Sequence, residues 1–397
     1  MKKAVHFGPG GIGMGLFGQL YYESGYETVF VGRNPEKISL INQYRSYPLE
    51  ILNDAGESKE VVVKNVRAMS VLDEDAVSQE IVDADIISTA VGASNLRSIA
   101  EPLAKGLCLR WEKGNLAPIN VLLGENMVET GQRFREFIEN ELPSSKAKVM
   151  FRDTVGAVDA SVRRLSLGVK LGAFESHPLK QQVNDGRTLC LPVDKDALKA
   201  PMPGLKYIEP VGNFDFLKKL KIFVSNSGHS IRAYLGHVKG YTYMSECREN
   251  PRIIDVVYGS MMEAGRATCK EFGMPFEDVE AGIKQRVSDM AQEPSLDDPI
   301  SRVARQPLRK LADNERLMGG AKLAVKHGML PLNLCLSTAA ALHFYDPADE
   351  SSVRLQSMIS TDGPDKVLKE VCNIDEDSPL FPLILSSYDL LGEGLLL

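Results

Sequence analysis

The stretch "AVHFGPGGIGMG", residues 4–15, sets Gly8, Gly10 and Gly13 directly behind a short apolar run, at the spacing G-x-G-x-x-G. This confines the opening of the chain to a strand, a tight turn and a helix, because each glycine answers a separate steric demand. The first permits the turn, the second lets a pyrophosphate come up against the main chain, and the third lets helix and strand pack closely. The helical period continued by "IGMGLFGQLYYESG" would aim the unbonded N–H groups of its first turn at the anion. Gly8, Gly10, Gly11, Ile12 and Gly13 are the expected dinucleotide contacts. A glycine turn in a nucleotide-free α/β domain is the plainer alternative.

At 397 residues the chain exceeds the usual size of one hydrophobic core, so two domains are expected. Up to about residue 195, the runs "KAVHF", "TVFVG", "DADIISTAV", "INVLLGEN" and "KVMFRD" alternate with helical stretches, the pattern of βαβ units and a mainly parallel sheet. Prolines and glycines then cluster in "PMPGLKYIEPVGNFD", residues 201–215, and the strand signal stops. Beyond it "RIIDVVYGSMMEAGRATCKEFG" and "LNLCLSTAAALHF" have helical spacing. The expected architecture is α/β plus all-α, with a Rossmann-type doubly wound domain over residues 1–200 and a helical domain over 201–397.

A formal net charge of -7 argues against nucleic acid as a partner, since phosphate backbones are held by clustered Lys and Arg. No run of eighteen apolar residues could span a membrane, and no cleavage site follows the apolar N-terminus, so the cytoplasm is the expected location. Six cysteines are spread singly and are expected to be reduced. Nothing resembles H-E-x-x-H, and no metal is expected. No coiled-coil seam marks an interface, and a monomer or small homo-oligomer is expected.

The second strand, "TVFVGRN", should end beside the adenosine ribose, where an NAD site usually carries an acid. Gly32, Arg33 and Asn34 stand there instead. Their presence removes a carboxylate that would repel a 2′-phosphate and supplies a cation that could bind one, which favours NADP. Alternatively Arg33 stacks on adenine or lies in solvent, and NAD is the coenzyme.

In the second half, "KIFVSNSGHSIRAYLG" contains Lys221, Asn226 and His229. On a helix of ~100° per residue, Asn226 lies roughly 140° and His229 roughly 80° from Lys221, so the three share one broad face. Oxidising an alcohol needs a base for the hydroxyl proton, and a lysine serves if its pKa falls from ~10.4 to about 7–8. Asn226 could donate to the developing alkoxide, and His229 could hold a neighbouring hydroxyl. Singly, each residue also reads as an ordinary helix side chain.

Lys-x4-Asn-x2-His resembles the catalytic signature of the polyol-specific long-chain dehydrogenases. The likeness also runs through "GENMVETG", "VGAVDASVRRL", "RVARQPLRKL" and "AAALHF", in order along nearly the whole chain. It implies a Rossmann-type domain followed by an all-α domain, with a metal-independent hydride transfer. In that setting Lys221 is the general base, Asn226 and Asn126 form the oxyanion site, and His229 orients the substrate.

Arg305, Arg309 and Lys310 form a cationic cluster in "RQPLRKL" suited to a phosphate monoester. With the resemblance, this favours a hexitol phosphate, D-mannitol 1-phosphate against D-fructose 6-phosphate. The cluster could instead cap a helix or pair with Asp297, Asp298 and Asp313. An unphosphorylated polyol or a sugar acid such as altronate is the rival substrate, and a non-catalytic NAD(P) redox sensor the rival function. The family usually carries an Asp after the second strand and an Arg after the third glycine, where this chain has Gly32 and Met14. On that ground the resemblance favours NAD while Gly32 and Arg33 favour NADP. The stretch around His177 also departs from the family's tryptophan-containing segment.

Overall fold

The computed structural model describes residues 1–53, 57–184, 189–202, 204–292 and 298–395. The chain divides into two compact units, Met1–Phe214 and Asp215–Leu397. The break falls later than the expected one after residue 200, because Ile208–Val211 is a strand that pairs in parallel with Leu191–Asp194 of the first unit.

The strands of the first unit begin with β1 (Lys2–Phe7), β2 (Tyr26–Gly32), β3 (Ser46–Leu52), β4 (Ser58–Lys64), β5 (Val66–Ser70) and β6 (Ile86–Thr89). They continue with β7 (Ile119–Leu123), β8 (Val155–Asp159), β9 (Leu165–Ser166), β10 (Gln181–Asn184), β11 (Leu191–Asp194) and β12 (Ile208–Val211). Six form a sheet in the order β5-β2-β1-β6-β7-β8 with every pair parallel. The order reverses between β1 and β6, and in such folds the ligand crevice opens at that switch point, beyond the carboxyl ends of the strands. Every residue of β6, β7 and β8 is buried, as a sheet covered on both faces requires. Val5, Phe7 and Val121 pack one face against Leu103 and Leu107, while Ala4 and Leu122 pack the other against Leu16 and Leu20.

Two features depart from the sequence expectation. "KVMFRD" is not a strand but lies in the helix Ser145–Thr154, which Ser144 caps by accepting from the Ala147 N–H at 3.2 Å. Its charges face outward with only Phe151 buried, and the strand begins one step later with the wholly buried "VGAVD". The second departure is a four-stranded sheet, β4-β3-β10-β9. In it β3 and β4 form an antiparallel hairpin, and β10 lies parallel to β3.

That sheet packs on the helix after the glycine turn, which is wound as a π-helix over Gly13–Gly18. A Cβ on Gly15 would stand 2.5 Å from Val183 Cγ1, so only glycine lets the strand approach. Side chains grip the π-turn as well. Tyr47 donates its hydroxyl to Met14 O at 2.6 Å, and buried Arg164 donates to Gly15 O at 2.5 Å and Gln19 Oε1 at 2.7 Å.

All regular structure in the second unit is helical among the described residues. Its longest helix, Pro251–Phe272, starts on Asn250, which accepts from the N–H groups of Arg252 and Ile253, and stops at Gly273 with φ 62°. Met261 and Ala264 on this helix meet Gly228 and Gly320, small residues that let neighbouring helices close in. Glu263 holds the start of the buried helix Leu332–Leu342, accepting from Asn333 N at 3.0 Å and Leu334 N at 2.9 Å. No helix among the described residues is long and apolar enough to cross a membrane.

Candidate active site

The first unit carries an open cleft of about 300 Å³ at the switch point, lined by Gly8–Gly10 after β1, Gly32–Asn34 after β2 and Ala90–Val91 after β6. Gly8 has φ +103°, and a Cβ there would stand 2.6 Å from Ala90 O. At Gly10 a Cβ would meet nothing within 4 Å, so this face of the turn lies open to a phosphate. The cleft therefore fits the dinucleotide expected from the glycine spacing. Gly13, by contrast, faces inward, where a Cβ would stand 2.6 Å from His6 Nε2. Gly11 packs towards Ser166, and Ile12 lies against the apolar cluster of Leu16 and Leu20. Of the expected contacts, Gly8, Gly10, Arg33 and Asn34 line the cleft, and Gly11, Ile12 and Gly13 form the turn behind it.

His6 is fully buried under this turn, its Nδ1 2.7 Å from Ser88 Oγ, which also accepts from the Tyr21 hydroxyl at 2.7 Å. Burial pushes its pKa down to about 3 against an opposing bond to the Gly8 backbone, so the ring is neutral. Glu125, at the carboxyl end of β7, is buried and accepts from Thr89 Oγ1 at 2.6 Å and Val91 N at 3.0 Å. It fixes the wall of the cleft formed by Ala90 and Val91. Its neighbour Asn126 is exposed at the same end of the sheet. At the rim, Arg33 Nη2 donates to Ser98 Oγ at 2.8 Å, and Lys37 Nζ donates to Pro9 O at 3.2 Å, with burial lowering the lysine pKa.

In the second unit Lys221–Asn226 is a π-turn, followed by the helix Ser227–Val238. The Ser227 N–H reaches back five residues to Ile222 O. An i→i+5 turn brings Asn226 closer above Lys221 than the roughly 140° separation of an ideal α-helix allows. Such single π-turns recur at functional sites. This one is wedged by Phe223, whose ring would lie 2.5 Å from a Cβ on Gly319. His229 sits one turn on, partly covered. Burial first, then the positive field of Arg232 against the opposing Asp298, pushes its pKa down to about 3.

The cationic cluster divides. Arg305 is exposed and Arg309 half-exposed, with Arg309 Nη1 3.5 Å from Glu315 Oε1. Lys310 is drawn inside, donating to Val303 O with its amine 5.7 Å from the Tyr234 ring centroid. Burial, with Arg316, Arg309 and Arg305 nearby, pushes its pKa down to about 6. The carboxylates considered as partners bind elsewhere, Asp298 to Arg302 at 2.5 Å and Asp313 to Lys322 at 2.7 Å, while Asp297 lies outside the described residues. A residue the sequence reading missed is Arg316. It is buried and donates to Ser230 Oγ at 3.3 Å, and Ser230 Oγ donates to Asn226 O at 3.0 Å. The cluster is thus tied to the end of the π-turn. Among the described residues no group of three or more His, Cys, Asp or Glu is placed to hold a metal ion.

Comparison with known proteins follows the same division. Residues 2–187 match the mannitol dehydrogenase Rossmann domain, and residues 213–390 match the mannitol dehydrogenase C-terminal domain. A mannitol-1-phosphate 5-dehydrogenase of Oceanobacillus iheyensis is 33% identical over 396 residues, covering 98% of this chain and 99% of that one. Among solved structures, Pseudomonas fluorescens mannitol 2-dehydrogenase, in a ternary complex with NAD and D-mannitol, has a TM-score of 0.77 at 15% identity, covering 100% of this chain and 92% of that one. A substrate-free D-sorbitol dehydrogenase has a TM-score of 0.74 at 14% identity, covering 99% and 93%. At such identities the likeness establishes the fold.

Proposed function

The chain belongs to the mannitol dehydrogenase family of oxidoreductases, and from that premise we propose that it interconverts D-mannitol 1-phosphate and D-fructose 6-phosphate with a nicotinamide coenzyme. The observation that carries the phosphorylated substrate is the cluster of Arg305, Arg309, Lys310 and Arg316 in a chain of net charge -7. The end-to-end match with a relative named for that substrate supports it. The Gly32–Arg33 pair supports NADP(H) as the coenzyme. Six free thiols fit a reducing, cytoplasmic setting.

When bound, the nicotinamide supplies or accepts the hydride. The residues of the chain manage the proton and the alkoxide. Lys221, as neutral amine, accepts the substrate hydroxyl proton during oxidation and returns it during reduction. The side-chain amides of Asn226 and Asn126 donate to the oxygen as negative charge develops on it. His229, held neutral by burial, fixes an adjacent hydroxyl with one ring nitrogen and so places the reacting carbon. Arg305 and Arg309 grip the phosphate with paired N–H groups. Lys310 spends its amine on Val303 O and, with its pKa pushed down to about 6, leaves the positive charge of the cluster to Arg305, Arg309 and Arg316.

Reduction of fructose 6-phosphate, fructose and a keto-uronate, compared on one enzyme preparation, tests the assignment. Fructose 6-phosphate should lead in kcat/KM. Arg309→Ala should raise KM for the phosphorylated sugar about 10–100-fold, the size of a lost charge-assisted contact, and change fructose far less. Equal effects on both sugars would remove the phosphate role, and preference for the keto-uronate would replace the substrate.

A further inference from the structure

We propose that Pro9, Lys37 and Ser98 set the coenzyme choice: Pro9 excludes the carboxylate that would hold an unphosphorylated adenosine ribose, and Lys37, with Arg33 held on Ser98, binds a 2′-phosphate in its place. The inference rests on the nicotinamide reading above and names residues that the glycine spacing and the Gly32–Arg33 pair do not reveal.

In a dinucleotide fold the acid that accepts from the ribose hydroxyls stands at the end of the second strand. Here β2 ends on Gly32, and a Cβ there would lie 2.7 Å from Pro9 Cγ and 2.8 Å from Pro9 Cδ. A proline ring has little room to yield, and Pro9 is set between Gly8 and Gly10, so an aspartate at position 32 would push against the phosphate turn itself. The coenzyme choice is therefore built into the glycine turn as well as into the strand end.

The rim beyond is prepared for an anion. Ser98 Oγ donates to Asn95 O at 2.7 Å and so offers its lone pairs to Arg33 Nη2 at 2.8 Å, which holds the guanidinium beside the cleft. Lys37 stands in the first turn of the helix Pro35–Tyr44, its N–H bound by the Asn34 cap at 2.9 Å. Its amine spends one bond on Pro9 O, and an ammonium carries three donors. Among the described residues lining the cleft are two cations and no Asp or Glu. A phosphate monoester brings ≈ −1.5 to −2 charge at pH 7, which such a rim accepts and a ribose carboxylate would repel.

Titration of the purified protein with NADPH and NADH, followed by coenzyme fluorescence and repeated with 2′,5′-ADP as competitor, tests this without any sugar. NADPH should bind at least about tenfold tighter than NADH, and 2′,5′-ADP should displace it where 5′-AMP does not. Lys37→Met should move the NADPH-to-NADH Kd ratio about tenfold towards NADH. Gly32→Asp alone should weaken both coenzymes, and Gly32→Asp with Pro9→Ala should invert the preference. NADH bound as tightly as NADPH, or Lys37→Met weakening both alike, would overturn the pocket and leave the nicotinamide reading standing. Binding of neither coenzyme would overturn both.

Discussion

In the proposed mechanism His229 acts as a neutral ring. With its pKa pushed down to about 3 by burial, the ring is mostly neutral above about pH 4, so protonation of His229 should produce no acid limb in the working range. His229→Asn should accordingly lower kcat/KM for fructose 6-phosphate while the apparent pKa of the profile above pH 4 stays where it is in the wild type. A shift of that pKa on substitution would make His229 a titrating participant. At this scale the sequence was most readable where a motif is local: Lys221 and Asn226 fall on one π-turn, and His229 on the helix that follows it. Arg316, Glu125 and Lys37 were invisible because each takes its role from a contact distant in sequence: Ser230 for Arg316, Val91 for Glu125 and Pro9 for Lys37. Lys310 was read with Arg305 and Arg309 as a cationic cluster for a phosphate and is buried, since nothing in "RQPLRKL" distinguishes the lysine that turns inward onto Tyr234.

Both segments of the candidate site are wound as π-turns, Gly13–Gly18 and Lys221–Asn226, where an even 100° per residue assumes none. Period counting found the helices and missed this local rewinding, which depends on tertiary partners such as Gly319 under Phe223 and Val183 against Gly15. The β3–β4 hairpin was missed because its outer strand reads "SKEVVVK", whose charges resemble a surface loop. "KVMFRD" misled in the opposite direction, its β-branched start outweighing the Ser144 cap. The grip of Arg164 on the first π-turn gives an element-scale prediction. Arg164→Met removes donors to Gly15 O and Gln19 Oε1 and leaves those buried acceptors short, a loss of about 1.5–3 kcal/mol. The thermal midpoint should fall, and coenzyme should bind several-fold more weakly. An unchanged melt would mean that the π-turn holds without it.

Across the whole molecule the order of architecture follows the sequence closely: a doubly wound parallel sheet first, helices after, with the boundary displaced to Phe214 by one short strand. What the chain's overall composition conceals is local concentration. A net charge of -7 coexists with basic side chains gathered at two places, Arg33 and Lys37 on the first unit and Arg305, Arg309, Lys310 and Arg316 on the second. Each gathering suits one phosphate of the proposed reaction, the coenzyme's and the sugar's. The proposed proton transfer depends on the Lys221 amine. Its most direct test is reduction of fructose 6-phosphate by NADPH, measured for the wild type and Lys221→Ala with the coenzyme Kd determined for both. The account predicts that kcat falls about 10²–10⁴-fold while the coenzyme Kd stays within about twofold. Turnover of Lys221→Ala at the wild-type rate would contradict it.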